Sequence, residues 1–426
     1  MLIEFSVENF RSFKEKATLS LLAARLQARD KTLDENNTIP IDNDLVLLRS
    51  AAVYGANASG KSNLVLAVAF MQNFVINSAK ESQAASIIPV DPFRLSIETE
   101  EQPSSFEVVF LVNGTRYRYG FEVTRAKVVS EWLFRSGTRK EARLFVRDES
   151  GFHLGRPFQE GKGLETRTRP NALFLSVVAQ WNGPVAQVVL NWFQSLRLVS
   201  GLEDFGYRVF TLNQFKDGAM REQIIQFVKS MDFGIEDIKR TTIEKSQILP
   251  AVPQEMQEFM SKIGDEWVSI QTIHEKFTAE GKFAGLTPFD LEQNESHGTQ
   301  KLFFLAGPIL ETLANGRVLF IDEMEARLHP LLTLEIIQLF QSKQTNPKAA
   351  QLVFTTHDTN LLSNKRFRRD QIWFTEKDRR GGTHLYSLAE LKVRNDASFE
   401  SDYIAGKYGA IPYFGNIRQI LVEDTP

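Results

Sequence analysis

The chain opens on an alternation: Leu2, Glu4, Ser6 and Glu8 interleave with Ile3, Phe5 and Val7, and a period of two predicts a half-buried strand. Residues 17–36 read as loop and short helix. Leu45–Tyr54, LVLLRSAAVY, is an apolar run that stops at Gly55 and predicts a buried strand. Across Lys61–Asn77, Leu64, Ala67, Phe70, Met71 and Phe74 recur at helical spacing. Phe106–Val123 reads as a hairpin, because Asn113-Gly114 separates two alternating runs and suits the positive φ of a tight turn. Ala172–Val178, ALFLSVV, predicts another apolar strand. Residues 185–275 turn helical in short pieces, such as Val185–Leu198 and Arg221–Met231, with no heptad seam sustained enough for a coiled coil. Arg317–Ile321 and Gln351–Thr355 predict two more buried strands around a helix near Leu331–Gln344. Apolar strands joined through a helix imply a parallel sheet covered on both faces, and hence an α/β fold.

The 426 residues, 42% apolar and 24% charged, are an ordinary globular mixture with room for two or three domain-sized units. The absence of cysteine excludes disulfides, thiolate metal sites, iron–sulfur clusters and Cys nucleophiles. A net charge of −3 excludes a uniformly basic coat for nucleic acid. Two local excesses remain: eleven Lys and Arg against six Asp and Glu in 125–169, and the cluster Lys365, Arg366, Arg368 and Arg369. Each reads either as solvated surface or as a patch facing DNA or a partner. No stretch approaches the ~18–20 apolar residues of a membrane span. Glu4 and Glu8 occupy the place where a signal peptide has its basic start. A cytoplasmic protein with no membrane contact is expected.

Gly55-Ala-Asn-Ala-Ser-Gly60-Lys61-Ser62 matches G-x-x-x-x-G-K-[ST] between a predicted strand and a predicted helix. Such glycines let backbone N–H groups curl round phosphates, and the helix N-terminus adds positive potential. The expected nucleotide contacts are Gly55, Asn57, Ser59, Gly60, Lys61, Ser62 and Asn63. Lys61 reaches the β- and γ-phosphates, and the Ser62 hydroxyl ligates Mg²⁺. The strand Val318–Ile321 runs into Asp322-Glu323. Beside a phosphate loop, Asp322 is placed to hold Mg²⁺ and Glu323 to act as general base.

Glu295-Ser-His-Gly-Thr-Gln300 precedes an apolar helix, Lys301–Leu313, and Thr355-Thr356-His357-Asp358 follows the last buried strand. The order of phosphate loop, long insert, Ser-x-Gly helix start, Asp-Glu strand and strand-end His resembles the ATP-binding-cassette superfamily. Its likeness is to the head domains of the chromosome-maintenance (SMC) and break-repair type. That resemblance makes Ser296 and Gly298 a signature motif capping the γ-phosphate held by the opposite subunit. It makes His357 a switch histidine that joins Lys61 and Glu323 in catalysis, and Glu325–Pro330 an interface segment in which His329 is structural. Asn9-Phe10-Arg11-Ser12-Phe13 looks like the N-terminal signature of these heads, in which the pair Arg11-Ser12 approaches the nucleotide. Ala172–Asn182 looks like the strand to the Q-loop, with Gln180 contacting Mg²⁺. The stretch 369–414 resembles the tail of bacterial abortive-infection ATPases, including the ATPase subunits of restriction-linked and anti-restriction-sensing (PARIS) systems.

The resemblance implies an ABC-type P-loop ATPase head, with a mixed sheet of parallel core plus antiparallel subdomain and a short helical lobe insertion. The expected division is 1–182 and 286–426 for the head, with 183–285 as the lobe. It further implies ATP and Mg²⁺ as cofactors, slow hydrolysis, a homodimer or higher homo-oligomer of heads, a separate toxic effector such as a nuclease, and a phage-encoded trigger. Only 69 residues follow His357, too few for the nuclease domain of overcoming-lysogenization-defect ATPases. The alternative is a DNA-repair head that binds nucleic acid itself. A transporter subunit and a non-hydrolysing scaffold fit the motif order less well.

Overall fold

The structure is a computed structural model that describes residues 1–26, 30–80, 86–136, 141–202, 205–216, 218–231, 234–244, 266–394 and 396–412. The chain divides into two compact units. The first comprises Met1–Leu202, Thr312–Ala326 and Thr333–Pro426; the second comprises Glu203–Glu311 with Arg327–Leu332.

Two large sheets build the first unit, beside a two-stranded one of Thr38–Pro40 and Val46–Leu48. One is antiparallel, with the strands Gly151–Leu154, Glu141–Asp148, Val128–Ser136, Thr115–Val123, Ser104–Val112, Leu2–Glu8 and Ala17–Ser20 in spatial order. The expected hairpin is at its centre, and Asn113 and Gly114 take φ of 49° and 73°. The opening strand is buried on both faces, not one: among its seven residues only Glu4 and Glu8 escape burial. The other sheet runs Arg197–Ser200, Val318–Asp322, Gln351–Thr355, Ser50–Gly55, Ile372–Lys377 and Thr383–Ser387. Its first five strands are parallel and the sixth is antiparallel. This is the mixed α/β architecture expected, a parallel core beside an antiparallel sheet. The helix Lys61–Asn77 contributes Leu64, Ala67, Val68, Met71 and Val75 to one core cluster that also draws on both sheets.

Ala17–Ser20 is a strand where 17–36 reads as loop and short helix, and three further elements differ from the sequence reading. Leu45–Tyr54 is two strands, Val46–Leu48 and Ser50–Gly55. They part at Arg49, whose buried guanidinium donates to Asn346 O at 3.0 Å. Ala172–Val178 is not a strand; Phe174–Gln180 is a helix. Every residue from Ala172 to Ala179 is buried, so the run shows no period, and a short buried helix looks like a buried strand. What selects the helix lies elsewhere in the chain: the buried Glu131 carboxylate accepts the N–H groups of Phe174 (2.6 Å) and Leu175 (3.0 Å), donors that a helix start leaves unpaired.

The third difference is the insert. The helix Pro184–Ser195 belongs to the first unit, where Trp192 stacks on Phe110 with centroids 4.0 Å apart. The second unit has the helices Phe205–Gln214 and Gly218–Lys229. It also has an antiparallel sheet of Ile235–Glu244, Glu266–Phe277 and Phe283–Asp290 that the helical reading of 183–285 omitted. Ser269 and Thr272 occupy buried positions in its middle strand, and polar residues inside blur the apolar alternation that would have shown it.

Candidate nucleotide-binding site

Parallel strands all finish on the same edge, and loops leaving that edge gather into a site. Here the strands ending at Gly55, Asp322 and Thr355 bring together the phosphate loop, the acidic pair and His357. The turn 55–60 closes tightly. Gly60 takes φ +114°, and a Cβ there would lie 2.4 Å from Thr383 Oγ1. At Gly55 a Cβ would lie 2.5 Å from Thr375 O. Only glycine fits either position. Lys61, 5% exposed, folds back so that Nζ donates to Gly55 O (2.9 Å) and Ala56 O (3.1 Å). Burial lowers its pKa to about 8, against the opposing charges of Glu323, Glu325 and Asp322.

Hydroxyls from distant parts of the chain brace the loop. Ser59 Oγ lies 2.6 Å from Thr375 Oγ1, and Thr383 Oγ1 lies 2.8 Å from both Ser59 O and Ser12 Oγ. Asn63 Nδ2 donates to Ser12 Oγ at 2.7 Å. Asp322 Oδ1 accepts from Thr355 Oγ1 at 2.6 Å, and the N–H of Glu323 donates to the same hydroxyl at 2.8 Å. Glu323 has φ +49°, a left-handed conformation that costs a non-glycine residue and that clusters at functional sites. Gly201 makes room for this turn, since a Cβ there would be 2.0 Å from Glu323 O. His357 has its pKa lowered, first by partial burial and then by the charge of Lys61, with Glu325 and Asp322 opposing. Its imidazole is therefore neutral at neutral pH.

A family model described as "AAA domain, putative AbiEii toxin, Type IV TA system" (AAA_21) matches residues 50–363. The chain belongs to the AAA_21 family. No curated protein sequence matches it. Among solved structures, the SMC head domain from Thermotoga maritima is 14% identical, with 92% of this chain and 99% of that one covered and a TM-score of 0.40. CbiO1 from Clostridium perfringens, part of the ABC transporter complex cbiONQ, is 12% identical, with coverage of 96% and 92% and a TM-score of 0.28. Neither likeness is close enough to transfer a residue's role.

In this AAA_21 chain the donors beside Lys61 suit a hard cation. The Ser62 hydroxyl and the Asp322 carboxylate are oxygen ligands of the kind Mg²⁺ takes, usually completed by phosphate and water. Among the described residues no group of three or more His, Asp and Glu could hold a metal unaided. Ser12, not Arg11, touches the phosphate loop. Arg11, at φ 51°, has its guanidinium 3.9 Å from Asp91. The signature of the N-terminal turn is largely structural: Asn9, at φ 50°, donates to Thr99 O and Gln102 O and accepts from the N–H of Phe93. Gln180 is an exposed residue ending a helix.

Ser296 and Gly298 lie in the second unit. Ser296 Oγ accepts the N–H of Thr299 at 3.1 Å, capping the helix His297–Asn315. A Cβ on Gly298 would lie 3.0 Å from Arg327 O. Behind them, Glu295 Oε1 is bonded by Thr272 Oγ1 and by His274 Nε2 (2.6 Å).

The cluster at 365–369 is not an open basic patch. Arg368 is buried and bonded to Asp370, Asp34 and Ala24 O, and Arg369 donates to Val393 O. Arg366 donates to Asn360 O at 3.1 Å, and only Lys365 is exposed. Among the described residues no helix is long and apolar enough to cross a membrane. The end of the tail resemblance, 413–414, lies outside the described residues.

Of the supporting residues, Thr355 and Ser12 stand inside quoted motifs. Thr375, Thr383 and Gly201 carry no local signal, because their roles come from strands paired across the sheet.

Proposed function

We propose that this chain binds ATP with Mg²⁺ at residues 55–63 and hydrolyses it slowly, as the sensing and regulatory subunit of an anti-phage defence system whose toxic effector is a separate protein. The observation that carries the ATPase reading is the buried Lys61 ammonium at the turn 55–60, within reach of the charges of Asp322 and Glu323. Lys61 neutralises the β- and γ-phosphates, and the N–H groups of the turn and helix start cradle them. Ser62 and Asp322 would hold Mg²⁺, with Gln180 as a further expected contact, and the ion would supply positive charge against the phosphate oxygens. Glu323 takes the proton of the attacking water. His357, uncharged, donates one ring N–H toward the γ-phosphate.

The exposed N-terminus of the helix His297–Asn315 supports the second half of the reading, in which Ser296 and Gly298 of one copy meet the phosphate bound by another. The effector and the phage-derived trigger follow from the resemblance of the chain to abortive-infection ATPases. Arg368 and Arg369 are held by internal partners, so this cluster lends direct DNA binding little support, and the basic excess of 125–169 keeps that reading as the alternative.

Phosphate release and nucleotide titration test the ATPase half. Lys61→Ala weakens ATP binding about ten- to a hundredfold, the worth of a charge-assisted contact. Glu323→Gln binds ATP normally, loses about 10²–10⁴ in turnover and accumulates the closed dimer. Turnover by Glu323→Gln at the wild-type rate would overturn the base assignment.

A further inference from the structure

The segment after the acidic pair is tied to the neighbouring strand one residue at a time. Asp322 Oδ1 and the N–H of Glu323 share Thr355 Oγ1, and the N–H of Met324 donates to Thr355 O at 3.1 Å. Met324 is fully buried, so its side chain holds this register. Glu325 makes the next tie. Its Oε1 accepts the backbone N–H of His357 at 2.5 Å, across 32 residues of sequence. Its Oε2 is buried and has no hydrogen-bond partner, a costly state for a carboxylate oxygen. A side chain kept for packing alone would not be an acid aimed at the loop that carries the candidate γ-phosphate contact.

We infer that Glu325 is a positioning residue for His357: its carboxylate fixes the His357 backbone and so locks the segment Asp322–Glu325 and the loop 356–358 into one rigid piece. The inference rests on the ATPase reading for its consequence, though not for its geometry. His357 follows the strand that lies between the acidic pair's strand and the phosphate loop's strand. A tie across that strand's end makes the imidazole and the base move together. A shift at the phosphates that displaces His357 then also displaces Glu323 through the backbone that Glu325 ties together.

Three variants separate reach from charge. Glu325→Gln keeps an oxygen that accepts the N–H and loses the charge. Glu325→Asp keeps the charge and loses the reach. Glu325→Ala loses both. Amide hydrogen exchange of the 355–359 segment, read without nucleotide, should speed up about tenfold or more in the Asp and Ala variants, the loss expected for a charge-assisted bond. Glu325→Gln should restore most of the protection. In ATPase assays Ala and Asp should lower kcat about tenfold with KM for ATP within about twofold, and Gln should recover kcat. Wild-type exchange in the Ala and Asp variants, or a Gln variant as impaired as Ala, overturns the inference. Were the wild-type chain to release no phosphate, the ATPase reading would fall, and the exchange comparison would still decide the Glu325 contact.

Discussion

Lys61 shows how a single residue can be read from spacing while its behaviour cannot. The pattern of glycines names it, but only the fold buries it to 5% exposure and lowers its pKa to about 8. Below that pH the ammonium is charged whether or not nucleotide is present. Above it the free protein must first take up a proton in order to bind phosphate, so affinity for ATP should be flat from pH 6.5 to about 8. Beyond that it should fall by about tenfold per pH unit. A calorimetric titration series across this range checks the sign; equal affinity at pH 7 and 9.5 would refute it. The acidic pair was legible in the same partial way. Asp322 and Glu323 stand out at the end of an apolar strand, while the left-handed backbone of Glu323 and the glycine that accommodates it, Gly201, are visible only in three dimensions.

At the scale of elements, the helices and strands with a clear period are the ones the sequence names well. Lys61–Asn77 begins and ends where its spacing predicts, and the hairpin turns at Asn113-Gly114. Elements buried on all sides carry no period, and there long-range contacts choose the conformation. The helix Phe174–Gln180 depends on Glu131, which also accepts from Tyr119 Oη at 2.9 Å and lies 4.0 Å from Arg147. Burial raises the Glu131 pKa, and Arg147 and the N–H donors counter that shift. Glu131→Ala should leave Arg147 uncompensated and the helix start uncapped, at a cost of about 3–5 kcal/mol. A urea midpoint unchanged in that variant would show that the helix needs no such cap.

At the scale of the whole molecule, the strand order places neighbours that sequence distance hides: Ser50–Gly55 lies between Gln351–Thr355 and Ile372–Lys377. No local pattern encodes that order, so the hydroxyl braces of the loop escaped the sequence, whereas the sheet of the second unit escaped it because buried Ser269 and Thr272 blur its alternation. The two units hold different parts of the proposed machinery, Lys61 and Glu323 in the first and Ser296 in the second. If two copies complete each other's sites, Lys61→Ala and Ser296→Arg chains should each fail alone and regain ATP turnover when mixed. The mixed dimer keeps one intact pair of loop and signature. Mixing without recovery would place signature and loop within the same chain's site. The strand order also sets a biosynthetic clock. The strand Ser50–Gly55, which leads into the phosphate loop, gains both of its partners only after residue 377 has been made. The roughly 320 residues between them take on the order of tens of seconds to synthesise. A ribosome-bound chain therefore carries its phosphate loop unfinished for most of its birth, and a chain cut short before that point lacks the Thr375 brace on Ser59.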